Sequence, residues 1–367
     1  MKSSGKRTLL STVLALLLVL SAARPADAYV AGSDVVVFWD ACRSVHYAMN
    51  IDGSGRRALP ELGSSNSGSV EVSRTGPATL LAFGPNDPAN LGGAWTLYAI
   101  DPTGFSPRVD LRQPSDSTHT DVVLSLAGDL LAYSHDVREF PSGNLLRIEV
   151  YIGHVVRDPA SGRISGLSDV QLLLSDLRAI GSPADVTTGV AFVRLMDFSP
   201  DGRSLLAVVY GDLWELPLAT DGTSWTVAPR PLTRTKDTVE LSARWSPAGD
   251  LIAYAGGPIT TQRGWTGLFS DDMEIYTLGV TSGAVRRVTT NLNKGSARGF
   301  KNDPNWSHDG SAILFSAVGP NASRSAPCGS LVNFELFQVA ADGSGKIQQI
   351  TSTVGSGVET SPRWGWR

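Results

Sequence analysis

Five histidines, two cysteines and a scatter of serines and acidic residues are the chemical resources of this chain, and their spacing builds few recognisable centres. His46, His119, His135, His154 and His308 show neither the i, i+4 helical pair of a zinc protease nor a Cys-x-x-Cys companion. No Gly-x-Ser-x-Gly elbow occurs, so a nucleophilic serine has no marker in the sequence. The turns Asp52-Gly-Ser-Gly55 and Asp342-Gly-Ser-Gly345 offer oxygen acceptors, yet neither runs on into the spaced acids and closing Glu of a calcium loop. Hairpin turns that need positive φ account for both. The expectation is therefore no catalytic residue, no metal and no cofactor.

The elements that must position these side chains are legible as a repeat. Phe198-Ser-Pro-Asp-Gly202, Trp245-Ser-Pro-Ala-Gly249 and Trp306-Ser-His-Asp-Gly310 each lead into an apolar run, and Leu124-Ser-Leu-Ala-Gly128 and Val72-Ser-Arg-Thr-Gly76 are weaker copies. Such a unit reads as strand, tight turn, strand. A second half recurs downstream: Asp212-Leu-Trp-Glu-Leu216, Glu274-Ile-Tyr-Thr-Leu278, Glu335-Leu-Phe-Gln-Val339, Thr96-Leu-Tyr-Ala-Ile100 and Val45-His-Tyr-Ala-Met49 alternate as half-buried strands do. Each reaches a Gly-bearing turn and a short fourth strand. The fold class expected is all-β, built of four-stranded antiparallel units.

Asn305-Trp306-Ser-His-Asp-Gly310, with Glu335-Leu-Phe-Gln-Val-Ala-Ala-Asp-Gly-Ser-Gly345 and Gln349-Ile350-Thr351 downstream, resembles the TolB propeller repeat. The resemblance implies a β-propeller whose blades stand radially and so protect their edges. The N-terminal unit starts at its second strand, Val35-Val-Val-Phe38, and the chain stops in a lone first strand, Ser361-Pro-Arg-Trp364. The last strand is expected to complete the first blade. Counting gives six blades: 34–62 with 358–367, then 68–113, 119–178, 190–233, 238–289 and 302–351. The long third unit leaves room for a seventh. The α/β domain that precedes the propeller in TolB has no counterpart before residue 34.

Propeller topology places two sets of side chains. Cys42 and Cys328 both fall in the connection between second and third strands, on one rim of the first and sixth blades. A Cys42–Cys328 disulfide across the closing seam is expected, with two free thiols as the alternative. Five residues before each repeat aromatic stand Glu359, Ser67, His119, Val193, Glu240 and Lys301, where the innermost strand enters the ring. With Asp303 these form a polar, partly acidic channel mouth. The candidate binding residues are Glu240, Glu359, Lys301, Asp303 and His119, able to receive a basic peptide or a cation. Trp245, Trp306 and Trp364 hold the repeat aromatic position and read as packing residues.

Lys2, Lys6 and Arg7 precede an apolar run, Leu9 to Leu20, and Ala26-Asp-Ala28 supplies small residues for cleavage, so residues 1–28 read as a signal peptide and 29–367 as one propeller domain. Removing residues 1–28 moves the net charge from −4 to −7, which argues against a nucleic-acid partner. The expected protein is secreted or periplasmic, monomeric and without a membrane span after cleavage. Its expected function is a module that binds a protein or peptide at the channel mouth, without catalysis. The alternative is a metal-dependent polysaccharide lyase, or another propeller enzyme acting on an extracellular polymer.

Overall fold

The computed structural model describes residues 35–40, 42–43, 45–59, 70–72, 80–85, 95–101, 104–105, 117–139, 142–160, 164–181, 193–236, 238–258, 273–289, 298–318, 334–344, 346–352 and 359–364. The signal-peptide reading and Cys328 lie outside them.

Strands dominate, in the order the repeat implies. β1 (Val35–Asp40), β2 (Val45–Asn50) and β3 (Arg57–Leu59) begin the first sheet. β4 (Val70–Val72), β5 (Leu80–Pro85), β6 (Trp95–Asp101) and β7 (Gly104–Phe105) form the next. β8 (Ser117–Leu124), β9 (Leu130–Arg138), β10 (Leu145–Arg157) and β11 (Ile164–Leu174) follow. The following sheet holds β12 (Val193–Phe198), β13 (Ser204–Val209), β14 (Asp212–Thr220) and β15 (Trp225–Val227), with β16 (Arg230–Pro231) also paired to β14. Then come β17 (Thr238–Trp245), β18 (Leu251–Pro258), β19 (Glu274–Gly279) and β20 (Val285–Arg287). β21 (Arg298–Trp306), β22 (Ala312–Val318), β23 (Phe334–Ala340) and β24 (Gln348–Gln349) make the last complete sheet. Finally β25 (Glu359–Trp364) returns to pair antiparallel with β1, Val36 opposite Trp364.

The architecture is an all-β propeller of small antiparallel sheets, and a single short 3-10 turn, Leu177–Ile180, is the helix among the described residues. Five blades are described with side chains, against the six expected, and β4–β7 by backbone alone. The long third unit holds no extra blade: β10 and β11 are long strands of one sheet, joined from Val150↔Leu174 to Arg157↔Ile164.

The repeat sequence explains the first hairpin of each blade. The serine after Leu124, Phe198, Trp245 and Trp306 turns its Oγ back to accept the amide five residues on: Ser125 from Leu130 at 3.0 Å, Ser199 from Ser204 at 2.8 Å, Ser246 from Leu251 at 3.1 Å and Ser307 from Ala312 at 2.9 Å. The turn closes on Gly128, Gly202, Gly249 and Gly310, all left-handed with φ of 70–76°. Only glycine takes that conformation without steric cost, so the spacing of serine and glycine is a turn code.

Packing between blades follows the aromatic. Phe198, Trp245 and Trp306 are all buried, and Trp306 Nε1 donates to the Arg244 carbonyl of the neighbouring inner strand at 3.0 Å. Apolar cores join each blade to the next: Ile148, Val150 and Ile152 with Leu195, Leu205 and Ala207; Leu206 and Val208 with Ala243, Ile252 and Tyr254; Ile275 and Ala253 with Phe315 and Phe337; Leu314 and Leu336 with Val36 and Phe38. Burial of such side chains stabilises by ~1.5–3 kcal/mol each. Among the described residues stability is therefore shared between four neighbouring pairs of blades.

Candidate functional site

The innermost strands carry a cluster of polar groups near the axis, and backbone irregularity puts it there. Each of β8, β12, β17 and β21 slips register against its partner: between His119 and Val122, Leu195 and Asp197, Leu241 and Ala243, and at two places in β21, one of them between Asn302 and Asn305. A bulge re-aims the side chains around it. Near these slips Asp121 meets Arg194, and Ser242 meets Asn302 and Asp303, each across adjacent strands.

Asp121 is the anchor of the first pair. Its Oδ1 lies 2.5 Å from Arg194 Nε, and its Oδ2 accepts the Leu195 amide at 3.0 Å and the Ser134 hydroxyl at 3.1 Å. Burial pushes the Asp121 carboxyl up, and Arg194 partly offsets that rise. The guanidinium is held charged above its usual range by Asp121, with Asp303 and Asp136 also in electrostatic reach. Its side chain keeps 41% exposure.

Ser242 Oγ lies 2.7 Å from Asn302 Oδ1 and 2.9 Å from Asp303 Oδ1. A hydroxyl has one proton, so it serves one of these acceptors at a time. Asp303 sits at φ 51°, a left-handed conformation uncommon outside glycine, and such strain gathers at functional sites. Together the set offers a carboxylate base, an oriented hydroxyl and a cation.

The residues singled out in the sequence scatter. Asp303 belongs to this cluster. Glu240, 2% exposed, is instead buried at a blade junction, bonded by Thr233 at 3.0 Å and Thr235 at 2.9 Å. Lys301, 1% exposed, is buried against Glu274 with Nζ 3.1 Å from Oε2. His119 is paired with His135, and Glu359 with Asp40, as backbone; the side chains of His119 and Glu359 lie outside the described residues. The one-residue slips explain the scatter: an alternation counted back from the aromatic changes face beyond the bulge. The signal that could have found the cluster is the polar residue three or four places before the aromatic, Asp121, Arg194, Ser242 and Asp303.

The other histidines have structural settings. His46 is fully buried with its ring centroid 4.6 Å from that of Trp39, and burial pushes the imidazole down to about 4, so it stays neutral. His135 Nδ1 lies 3.2 Å from Glu149, and His154 packs against Trp225. Among the described residues no three His, Cys, Asp or Glu side chains gather in a metal-holding group, and no helix is long and apolar enough to cross a membrane.

No family model and no curated protein matches the chain. Solved structures do. One chain of the nidogen/laminin complex matches with TM-score 0.53 and 8% identity, over 91% of this chain and 98% of that one. The periplasmic gluconolactonase PpgL of Pseudomonas aeruginosa matches with TM-score 0.47 and 14% identity, over 91% and 99%. A puromycin-hydrolyzing peptidase of Mycobacterium tuberculosis matches with TM-score 0.46 and 13% identity, over 88% of this chain and 52% of that one. Likeness at this identity speaks for the fold. Enzymes stand among the structures the chain resembles, and the expectation of a binding module without catalysis is corrected accordingly.

Proposed function

We propose that the protein is a propeller enzyme of hydrolytic type, acting near the axis of the ring on a compact polar substrate with an electrophilic carbonyl. One observation carries the reading: Asp121, Arg194, Ser242 and Asp303 come from four successive inner strands into one neighbourhood, with Asp303 held in a strained conformation. In this reading Asp303 removes a proton from the attacking water, Arg194 stabilises the negative charge that develops on the carbonyl oxygen, and Ser242 orients the Asp303 carboxylate; the acyl C–O or C–N bond then breaks and the departing oxygen or nitrogen takes the proton back from Asp303. Asp121 is a positioning residue that fixes the guanidinium.

The finer features belong to the same proposal. A ring of six TolB-type blades is supported by the inner strands touching in cyclic order, β25, β4, β8, β12, β17, β21 and β25 again. The Cys42–Cys328 seam bridge belongs to the proposal, supported by the disulfide state of Cys42 and by the two cysteines of the chain. Export is supported by the basic and apolar character of residues 1–28.

The test is turnover of a panel of chromogenic esters, lactones and peptide amides by residues 29–367, beside the Asp303→Asn and Arg194→Ala variants. Turnover that both variants abolish supports the reading. Turnover that survives in both, or none on any substrate class, removes it.

A further inference from the structure

Blade junctions repeat one polar arrangement, and the incoming inner-strand residue is a lysine at one of them and a glutamate at another. An acid opens a third strand, a threonine closes the outer edge of that blade, and the next inner strand brings a residue five places before its aromatic. At β19 the acid is Glu274. The Ile275 amide donates to Thr289 Oγ1 at 2.8 Å, Thr289 donates to Glu274, and the incoming residue is Lys301, 3.1 Å from the same carboxylate. At β23 the Leu336 amide donates to Thr351 Oγ1 at 2.9 Å and Thr351 donates to Glu335 at 2.7 Å.

Between β14 and β17 the acid is Asp212, and the Leu213 amide still donates to Thr233 Oγ1 at 2.8 Å. Here the incoming residue is Glu240, a second carboxyl where the later junction has an ammonium. Thr233 turns its hydroxyl to Glu240 Oε2, 3.0 Å away. Thr235 Oγ1 stands between the two acids, 2.9 Å from Glu240 Oε1 and 3.4 Å from Asp212 Oδ1, while the Thr235 amide donates to Asp212 at 2.8 Å. The Glu240 amide ties β17 to the Gly211 carbonyl at 2.7 Å. Among the described residues the titratable and charged groups around Glu240 are Asp212 on β14, Tyr254 on β18 with Tyr276 of β19 stacked on it, and Arg234 and Lys236, both exposed on the intervening loop.

We propose that this junction is a proton-operated catch, in which a proton on Glu240, relayed through the Thr235 hydroxyl to Asp212, locks β17 to β14 and its loss loosens the two blades. In the locked form the Glu240 hydroxyl donates to Thr235 Oγ1, whose own proton then serves Asp212 at 3.4 Å or the Thr238 carbonyl at 3.2 Å. With the proton gone, two buried carboxylates draw on the same threonine hydroxyls, which is costly in a poorly solvated site. Burial, with the charge of Asp212 adding, pushes the Glu240 carboxyl up to about 8. A carboxyl raised on folding contributes stability that is complete below the ordinary glutamate range and is lost as pH rises towards that value. β17 also carries Ser242, so the catch holds one strand of the axial cluster.

The experiment is thermal unfolding of residues 29–367 from about pH 5 to about pH 9, wild type beside Glu240→Gln and Glu240→Lys. The wild-type Tm should fall relative to Glu240→Gln through this range and level off above about pH 8. Glu240→Lys rebuilds the Lys301–Glu274 pairing with Asp212 and should match or exceed wild type at the alkaline end. A wild-type to Glu240→Gln difference that is constant with pH overturns the catch. So does an alkaline Tm that calcium or magnesium raises in wild type but not in Glu240→Gln, since a metal then holds the junction. Should the Glu240 variants fail to fold, Asp212→Asn decides: it removes the neighbouring charge and should make the fall with pH shallower, whereas an unchanged profile overturns the proposal.

Discussion

Lys301 Nζ and Glu274 Oε2 lie 3.1 Å apart with side chains 1% and 2% exposed, an ion pair sealed between two blades. Glu274 also accepts from Thr289 and from Arg287 at 2.7 Å, so its lone pairs are well used. A pair this far from water is expensive to break on one side, because the remaining charge has no solvent to turn to.

Lys301→Met should therefore destabilise the chain in urea unfolding, by less than the ~3–5 kcal/mol of a pair left wholly uncompensated, because Arg287 still pairs with Glu274. The double variant Lys301→Met with Glu274→Gln should recover most of that loss, since it removes the stranded charge. Equal losses in single and double variants would refute the role given to the pair.

Asp303→Ala should lower kcat/KM by about 100-fold or more under the hydrolytic reading, because the base is gone. Its left-handed φ makes Asp303→Gly the informative companion: glycine relieves the strain, so the Tm should rise slightly while activity stays lost. Parallel losses of Tm and activity would point to a purely structural residue.

Arg194→Ala should reduce turnover by about 100-fold, as removal of one electrostatic stabiliser does. Asp121 then loses the cation that offsets its burial, so its carboxyl should titrate higher still. Carbon-detected NMR of the aspartate carboxyls, wild type against variant, measures that direction.

Gly53→Ala should destabilise by more than about 1 kcal/mol, because a left-handed residue loses glycine's freedom there. The position is also crowded: a Cβ at Gly53, with φ 84°, would stand 2.6 Å from the Ile350 carbonyl oxygen. Gly222→Ala, at φ 88° with open space around it, is the control that isolates the backbone share. Equal Tm losses in the two would show that the contact with Ile350 is unimportant.

A bridge between Cys42 and Cys328 would close almost the whole chain into one loop, and the chain-entropy model gives ~4–5 kcal/mol for such lengths. Reduction should lower the Tm accordingly, and alkylation before reduction should label neither cysteine in non-reducing mass spectrometry. Two labelled thiols would dismiss the bridge.

The all-β class, the four-strand unit and the return of β25 to β1 were legible in the chain because each rests on local rules. Serine and glycine at fixed spacing write the first turn, alternation writes the half-buried strands, and a first unit short of one strand calls for the lone strand at the other end. These signals survive without knowing what lies alongside, since the blade is held by its own hydrogen bonds and repeats its own chemistry.

The site was not legible in the same way. Glu240 and Lys301 occupy equivalent places and look like a polar rim in the sequence, yet both are buried, one against an acid and one beside an acid of the preceding blade. Asp121 and Arg194 are 73 residues apart and meet because neighbouring inner strands each slip register near them. A bulge is a compromise between a strand's own twist and the ring it must fit, and that compromise is set by the closed circle of blades. The sequence by itself determined what each blade is; the closure of the ring decided which side chains face one another across it.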